Sequence, residues 1–149
     1  MAAWHLAQIN IGRLRAPIDA PEIADFADNL DPINALAEAS PGFVWRLQDE
    51  SGNATGIRFD PDPLLALNMS VWESIESLEA FVRKTAHADF FKRRRDWFER
   101  MGEAYMTLWW IEAGHLPSIE EGVERLDQLR THGPTAHAFT FGQSFSPPS

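Results

Sequence analysis

The fold of this chain is indicated by two segments of the same character, LNMSVWES at residues 67–74 and YMTLWWI at residues 105–111. Side chains in both segments alternate from one residue to the next, which is typical of β-strands. In the first segment the odd-numbered positions up to Val71 are apolar, and the positions between and after them are Asn68, Ser70 and Trp72. We expect the apolar face to pack against helices. The other face is then either a dimer interface or the floor of a pocket.

The remaining sequence supplies two more strands and three helices. Strands are predicted at residues 4–11, 43–49, 64–72 and 105–112, and helices at 19–38, 74–100 and 118–132. Asp31-Pro32 is expected to interrupt the first helix because proline has no amide hydrogen, and the second helix is expected to bend near residues 85–87. The order strand, helix, strand, strand, helix, strand predicts an α+β, ferredoxin-like sandwich with an antiparallel sheet and an extra C-terminal helix.

Composition sets the broad class of the protein. With 149 residues the chain is expected to form one domain, residues 1–142, followed by a flexible tail at 143–149. Residues 136–141 are expected either to add an edge strand or to pack against a partner. The absence of cysteine excludes disulfides and thiolate metal sites.

Charge and hydropathy indicate where the protein works. The net charge of −9 argues against nucleic-acid binding, and the one basic run, residues 92–95, spreads around a helix rather than forming a single face. The N-terminus lacks the pattern of a signal peptide, and no stretch approaches the roughly 20 apolar residues of a membrane helix. We therefore expect a cytoplasmic protein that binds neither membrane nor nucleic acid.

A sheet covered by helices on one face leaves its other face bare. If that bare face carries both Trp72 and Trp109, it is a large exposed apolar patch. A second copy of the sheet would cover it, so a homodimer is expected. The alternative is a monomer whose C-terminal segment folds back over the sheet.

Candidate site residues follow from their chemistry. His87 is the candidate for proton transfer near neutral pH, and Asn10 is the candidate for stabilising developing negative charge on a substrate. The other ligand-binding candidates are hydrogen-bond donors and flat aromatic walls: Asn68, Arg46, Arg94, Trp45, Trp72, Trp97 and Trp109. Each has a structural alternative, namely a helix-capping histidine, cross-strand hydrogen bonds, or indoles that simply fill the core. The five histidines lack metal-motif spacing, so no metal site is predicted.

Several motifs taken together resemble a known family. They are AQIN at 7–10, NALA at 34–37, SPGFVWRL at 40–47, NMSVWES at 68–74, RRRDWF at 93–98, LWW at 108–110 and AFTF at 138–141. The set covers nearly the whole chain and resembles a bacterial domain family of unknown function. That family is similar to the dimeric α+β barrel group, which includes antibiotic-biosynthesis and heme-degrading monooxygenases.

The resemblance implies a homodimer with a ligand cavity between each sheet and its helices, which keeps a helix-side pocket open as a possibility. Heme-degrading relatives use an asparagine, a tryptophan and a histidine. Asn10 matches the asparagine, but Phe81 and Phe91 occupy the other two positions, with His87 four residues before the second. No cofactor is therefore predicted, with heme as the minor alternative.

Two functions remain. The first is a cofactor-independent, monooxygenase-like enzyme acting on an aromatic substrate. The second is a homodimeric module that binds or senses a small molecule without chemistry of its own.

Overall fold

The computed structural model describes residues 3–48, 60–83, 88, 92–100 and 102–148. Its strands are β1 (Trp4–Arg13), β2 (Phe43–Arg46), β3 (Leu65–Trp72) and β4 (Met106–Glu112). Its helices are α1 (Ala24–Glu38, entered through a 3-10 turn at Pro21–Ile23), α2 (Ile75–Val82), α3 (Arg94–Trp97) and α4 (Ile119–His132). The sheet has the order β2-β3-β1-β4, with every neighbouring pair antiparallel. The predicted ferredoxin-like α+β fold is confirmed.

The register of the central strands separates the two sheet faces. Gln8 pairs with Ser70 and Asn10 with Asn68, so these four polar side chains share one face. The apolar residues between them, including Ile9 and its partner Met69, point to the opposite face. The alternation of polar and apolar side chains that the sequence predicts is therefore present in the sheet.

The C-terminal helix α4 covers the apolar face. Leu126 and Leu129 of α4 are buried in one cluster with Ile9, Met69 and other apolar residues of the sheet. The contact is close at Gly122, where an added Cβ would lie 2.8 Å from Ile9 Cδ1 and 3.1 Å from Met69 Sδ. The apolar face was expected to pack against helices, and it does, but the helix is the C-terminal α4, which folds back onto the sheet.

Helices α1 and α2 cover the other, partly polar face. Trp72, Leu78 and Phe81 are buried there in a second cluster that also contains Ala37 of α1. The Trp72 and Phe81 rings stack with centroids 5.2 Å apart. These aromatic contacts close one end of the layer between the sheet and the helices.

Trp72 and Trp109 lie on opposite faces of the sheet, so the predicted bare face with two indoles is not present. Both side chains are buried within one chain, at 1% and 0% exposure. A second copy of the sheet is therefore not needed to bury these two indoles. The homodimer stays a prediction, to be tested by light scattering. Any dimer that keeps α4 in place needs a surface other than the face that α4 occupies.

Two predicted helix boundaries are wrong for identifiable reasons. Pro32 lies inside α1, which continues through it. Proline forfeits a single helical hydrogen bond there, while Phe26 and Ala37 anchor the helix on either side. The helix predicted to reach residue 100 ends at Trp97, because Phe98 bridges to Leu14 instead. The predicted bend at 85–87 falls on residues outside those described.

The strand ends and the C-terminal segment also differ from expectation. Strand β2 ends at Arg46 rather than near residue 49. Leu108 and Phe139 exchange backbone hydrogen bonds of 2.8 and 2.9 Å, so the C-terminal segment adds one bridge to the edge of β4. Beyond it, Trp110 Nε1 donates to the Phe145 carbonyl at 2.8 Å. Within the described residues no helix has the length and apolar character needed to cross a bilayer.

Candidate functional site

A cavity of about 780 Å³ lies between the polar face of the sheet and helices α1, α2 and α3. Its floor is built by β1 and β3. Its walls are mainly apolar side chains from the three helices: Phe26, Leu30, Ile33, Leu78, Phe81, Val82 and Trp97. Polar side chains concentrate on the floor, where they form one connected network.

The floor network is centred on Gln8, which is 5% exposed. Its Nε2 donates to Asn68 Oδ1 at 2.6 Å and to Ser70 Oγ at 2.8 Å, and its Oε1 accepts from Asn10 Nδ2 at 3.1 Å. Trp72 Nε1 also donates to Ser70 Oγ, at 2.9 Å. We call Gln8, Asn10, Asn68 and Ser70 the polar row. Both hydrogens of the Gln8 amide are used, so Gln8 fixes the orientation of its neighbours.

The hydrogen bonds of the polar row determine what it offers to a ligand. Ser70 Oγ accepts twice, which leaves its own hydrogen to donate. Asn68 Oδ1 also accepts twice, from Gln8 and from Asn10 at 3.4 Å, and its amide group has no partner among the described residues. The row therefore presents O–H and N–H donors to the cavity. Such donors suit a ligand oxygen that carries or develops negative charge.

Arg46 enters the cavity because of an irregularity in β2. Phe43 pairs with Trp72, but Trp45 pairs with Val71 and Arg46 with Ser70, so Val44 is an extra residue in the strand. Regular alternation would place Phe43 and Trp45 on the same face. The β-bulge reverses this and brings Arg46 to the cavity face beside Ser70.

A second cation, Arg94 of α3, lines the cavity together with aromatic rings. Its guanidinium carbon lies 4.3 Å from the centroid of the Tyr105 ring and 5.4 Å from that of Phe98. Both distances are within the range of a cation–π interaction, which helps to hold the side chain in place. Arg94 thereby connects α3 to the segment that precedes β4.

The structure brings six of the predicted site residues together and separates two. Those that line the cavity are Asn10, Arg46, Asn68, Trp72, Arg94 and Trp97. Trp45 and Trp109 were also predicted to bind the ligand, but neither lines the cavity. The bulge turns Trp45 toward the α4 face, and Trp109 lies opposite Ala7 on that same face. His87 lies outside the described residues, although Ala88, the next residue in the sequence, lines the cavity.

Trp109 instead takes part in a polar contact with α4. Its Nε1 donates to Glu121 Oε2 at 2.9 Å, and His115 Nε2 lies 2.7 Å from Glu121 Oε1. Burial raises the pKa of Glu121, but the hydrogen bonds from His115 and Trp109 outweigh it and hold the pKa below its usual range. Glu121 therefore stabilises the docking of α4 while its carboxylate is charged.

Sequence reasoning did not select Gln8 or Ser70, which complete the polar row. The signal for both was present, since each is two residues from a selected asparagine and so shares its face in a strand. Lys92, Glu103 and Tyr105 also line the cavity. Lys92 and Glu103 lie outside the strands, so no periodicity linked them to the floor. Tyr105 was predicted to begin the last strand, but β4 starts at Met106, so strand alternation did not predict where its side chain lies.

Heme, the minor cofactor alternative from the sequence, would need an axial ligand in the cavity. Heme iron is held in proteins by histidine, cysteine, methionine or tyrosine. The described lining residues include Met106 and Tyr105, whose ring is covered by Arg94, but no histidine, and His87 lies outside the described residues. Phe81, at the position of the expected tryptophan, is engaged in its stack on Trp72. Across the described part of the chain, no three histidine or carboxylate side chains converge to hold a metal ion.

Residues 5–149 match the model of a family described as a domain of unknown function, DUF3291. The chain belongs to this family. No curated protein matches the chain.

Solved structures with similar folds include NE2512 of Nitrosomonas europaea, a protein of unknown function. It is 16% identical, with a TM-score of 0.49 over 77% of this chain and 96% of that one. They also include SnoaB of Streptomyces nogalater, a cofactor-independent oxygenase, at 13% identity and a TM-score of 0.48 over 80% and 100% of the two chains. An asparagine-to-alanine variant of SnoaB is 15% identical, with a TM-score of 0.50 over 76% of this chain and 98% of that one. At these identities the likeness concerns the fold alone.

Proposed function

We propose that this DUF3291 protein binds a small, largely aromatic molecule in the cavity above the polar row. The observation that carries the proposal is the pairing of apolar walls with one row of oriented hydrogen-bonding groups on the floor. Ligand sites in proteins commonly have this composition, with volumes of about 300–1,000 Å³. The cavity, at about 780 Å³, falls within that range and accommodates a molecule of several fused rings.

The enzymatic form of the proposal is a cofactor-independent oxygenase. A substrate with an acidic CH₂ group between aromatic rings loses a proton, and the resulting carbanion, delocalised as an enolate, reacts with O₂. The balanced reaction converts CH₂ and O₂ into C=O and H₂O. Asn68 and Ser70 would donate hydrogen bonds to the enolate oxygen and so stabilise the charge that develops there. His87 is the proposed base, on its chemistry and its position in the sequence.

A direct experiment tests binding and reaction separately. Purified protein is first analysed by mass spectrometry under native and denaturing conditions for a bound small molecule. It is then titrated with anthrone, a three-ring molecule with an acidic CH₂ group, under nitrogen, and turnover to anthraquinone is followed by O₂ consumption after air is admitted. The proposal expects saturable binding and O₂ uptake above the uncatalysed rate, lowered at least about tenfold in His87→Ala.

Three variants serve as controls for this experiment. Ala66→Trp places an indole in the cavity and should abolish binding while the far-UV circular dichroism spectrum is unchanged. Asn68→Ala should weaken binding, whereas Asn29→Ala, which removes an asparagine from outside the cavity, should not. Equal binding by the wild type and Ala66→Trp would overturn the cavity as the ligand site.

The second candidate function, a binding module without chemistry, is favoured by one observation. Internal hydrogen bonds around Gln8 hold the polar row in one orientation, as suits fixed recognition of a ligand. Saturable binding with O₂ uptake equal to the uncatalysed rate would support this function over the oxygenase.

A further inference from the structure

Arg46 is a largely buried cation with an unused hydrogen-bond donor. Its side chain is 10% exposed, and its Nε is buried without a hydrogen-bond partner among the described residues. Glu38 Oε2 lies 3.6 Å from that nitrogen, which is within ion-pair range but beyond a hydrogen bond. Leaving a buried charged donor unsatisfied is costly, so its presence here calls for a partner such as a bound ligand.

The Glu38 carboxylate does not occupy the cavity side of Arg46. Glu38 is about half exposed and does not line the cavity, whereas Arg46 does. A guanidinium carries five N–H donors in a planar fork, and one carboxylate oxygen at 3.6 Å satisfies none of them. Arg46 therefore keeps donors for a group that enters the cavity from the ligand side.

The charge of the cavity wall favours an anion. Among its described residues the wall carries three cations, Arg46, Lys92 and Arg94, against one carboxylate, Glu103. The chain as a whole has a net charge of −9, so this local excess of positive charge runs against the composition. Lys92 and Glu103 are exposed and therefore screened by solvent, whereas the largely buried Arg46 is weakly screened and acts strongly on a bound ion.

We infer that the ligand of this cavity carries a carboxylate that Arg46 binds, with the aromatic part of the molecule lying over the polar row. This inference rests on the proposed function and specifies its substrate class. The two oxygens of a carboxylate match the fork of a guanidinium, and such paired, charge-assisted hydrogen bonds are stronger than neutral ones. The bulge in β2 is the structural element that brings Arg46 into position.

The test compares two probes of the same shape, anthracene-2-carboxylate and anthracene-2-carboxamide, titrated by fluorescence at pH 7. The wild type should bind the carboxylate about tenfold more tightly, or better, than the amide. In Arg46→Met, which keeps the aliphatic packing, this preference should disappear while amide affinity changes by less than about twofold. Arg83→Met, which removes an exposed arginine, should leave both affinities unchanged.

A second variant keeps the test decisive if Arg46→Met does not fold. In Glu38→Gln the competing carboxylate is removed, so affinity for the anionic probe should rise about two- to fivefold while that for the amide stays constant. Equal affinity of the wild type for both probes overturns the inference and leaves the cavity proposal intact. Failure of both probes to bind, with Ala66→Trp indistinguishable from the wild type, overturns the proposed function itself.

Discussion

The two faces of the sheet are built from the same strands but differ in how they are covered. On the α4 face the helix backbone approaches the strands at Gly122, and large apolar side chains fill the layer. On the face toward α1 and α2, stacked rings such as Trp72 and Phe81 fill one end, and the polar row lies beneath a cavity at the other. Under the proposed function the α4 layer serves mainly stability and the cavity layer serves recognition, so matched substitutions should have different effects.

The largest difference in stability should come from truncating one leucine to alanine on each face of the sheet. Leu126 of α4 is 1% exposed, so Leu126→Ala should lower the free energy of unfolding by about 3 kcal/mol through lost burial and the resulting void. Leu30 of α1 is only partly buried and lines the cavity, so Leu30→Ala should cost about 1 kcal/mol or less. Urea unfolding followed by tryptophan fluorescence measures both. Equal losses would contradict the distinction between the faces.

The second-largest difference in stability should come from enlarging one small residue on each face of the sheet. Gly122→Leu should cost about 2 kcal/mol, because its side chain meets Ile9 and Met69 where the helix touches the sheet. Ala66→Leu adds a branched side chain that faces the cavity, so it should change stability by less than about 1 kcal/mol and weaken ligand binding instead. Thermal unfolding with and without anthrone separates the two results. A stability loss at Ala66 as large as that at Gly122 would show that the cavity side is also tightly packed.

A smaller effect should follow from breaking the polar row. Gln8→Met keeps the size of the side chain but removes the partner of Asn10, Asn68 and Ser70. We expect a loss of about 1 kcal/mol in stability, because those groups can still reach water through the cavity. The Kd for anthrone should rise as well, since the donors lose their fixed orientation. Unchanged ligand affinity would mean that the row is only structural.

The smallest effect concerns pH and the α4 face. The pKa of Glu121 is lowered in the folded protein, so its contribution to stability is present above the usual glutamate range and is lost as the pH falls through the folded pKa. Unfolding measured from pH 6 to pH 3 should therefore show a shallower acid decline in Glu121→Gln than in the wild type. Glu120→Gln, an exposed neighbour, should retain the wild-type slope. If all three proteins lose stability in parallel as the pH falls, Glu121 does not contribute to the acid response.

The strands, the side-chain alternation within the central ones and two helix starts could be predicted because they depend on local rules. Ser74 and Ser118, the first residues of two predicted helices, accept hydrogen bonds from the amides of Ser77 and Glu121, as N-cap residues do. These features follow from side-chain spacing and from groups within a few residues of each other.

Other features depended on tertiary contacts that spacing does not encode. The face that α4 covers is selected by complementary packing over a long sequence separation. One extra residue, Val44, shifts the register of β2, so that Arg46 faces the cavity and Trp45, a predicted ligand-binding residue, faces α4. Phe98 leaves the predicted helix because it pairs with Leu14 at the far end of β1. In each case the local preference was overridden by a partner distant in the sequence.

The docking of α4 has a consequence for assembly. A short connection, residues 113–118, separates β4 from α4, and Gly114 in it has a φ of +95°, a backbone state that glycine adopts readily. If the connection opens, the same helix can dock on the sheet of a neighbouring molecule with every native contact retained. The balance between closed monomer and helix-exchanged pair is then set by protein concentration and by strain in this connection. Shortening residues 113–118 should favour the exchanged pair, and lengthening them should favour the monomer.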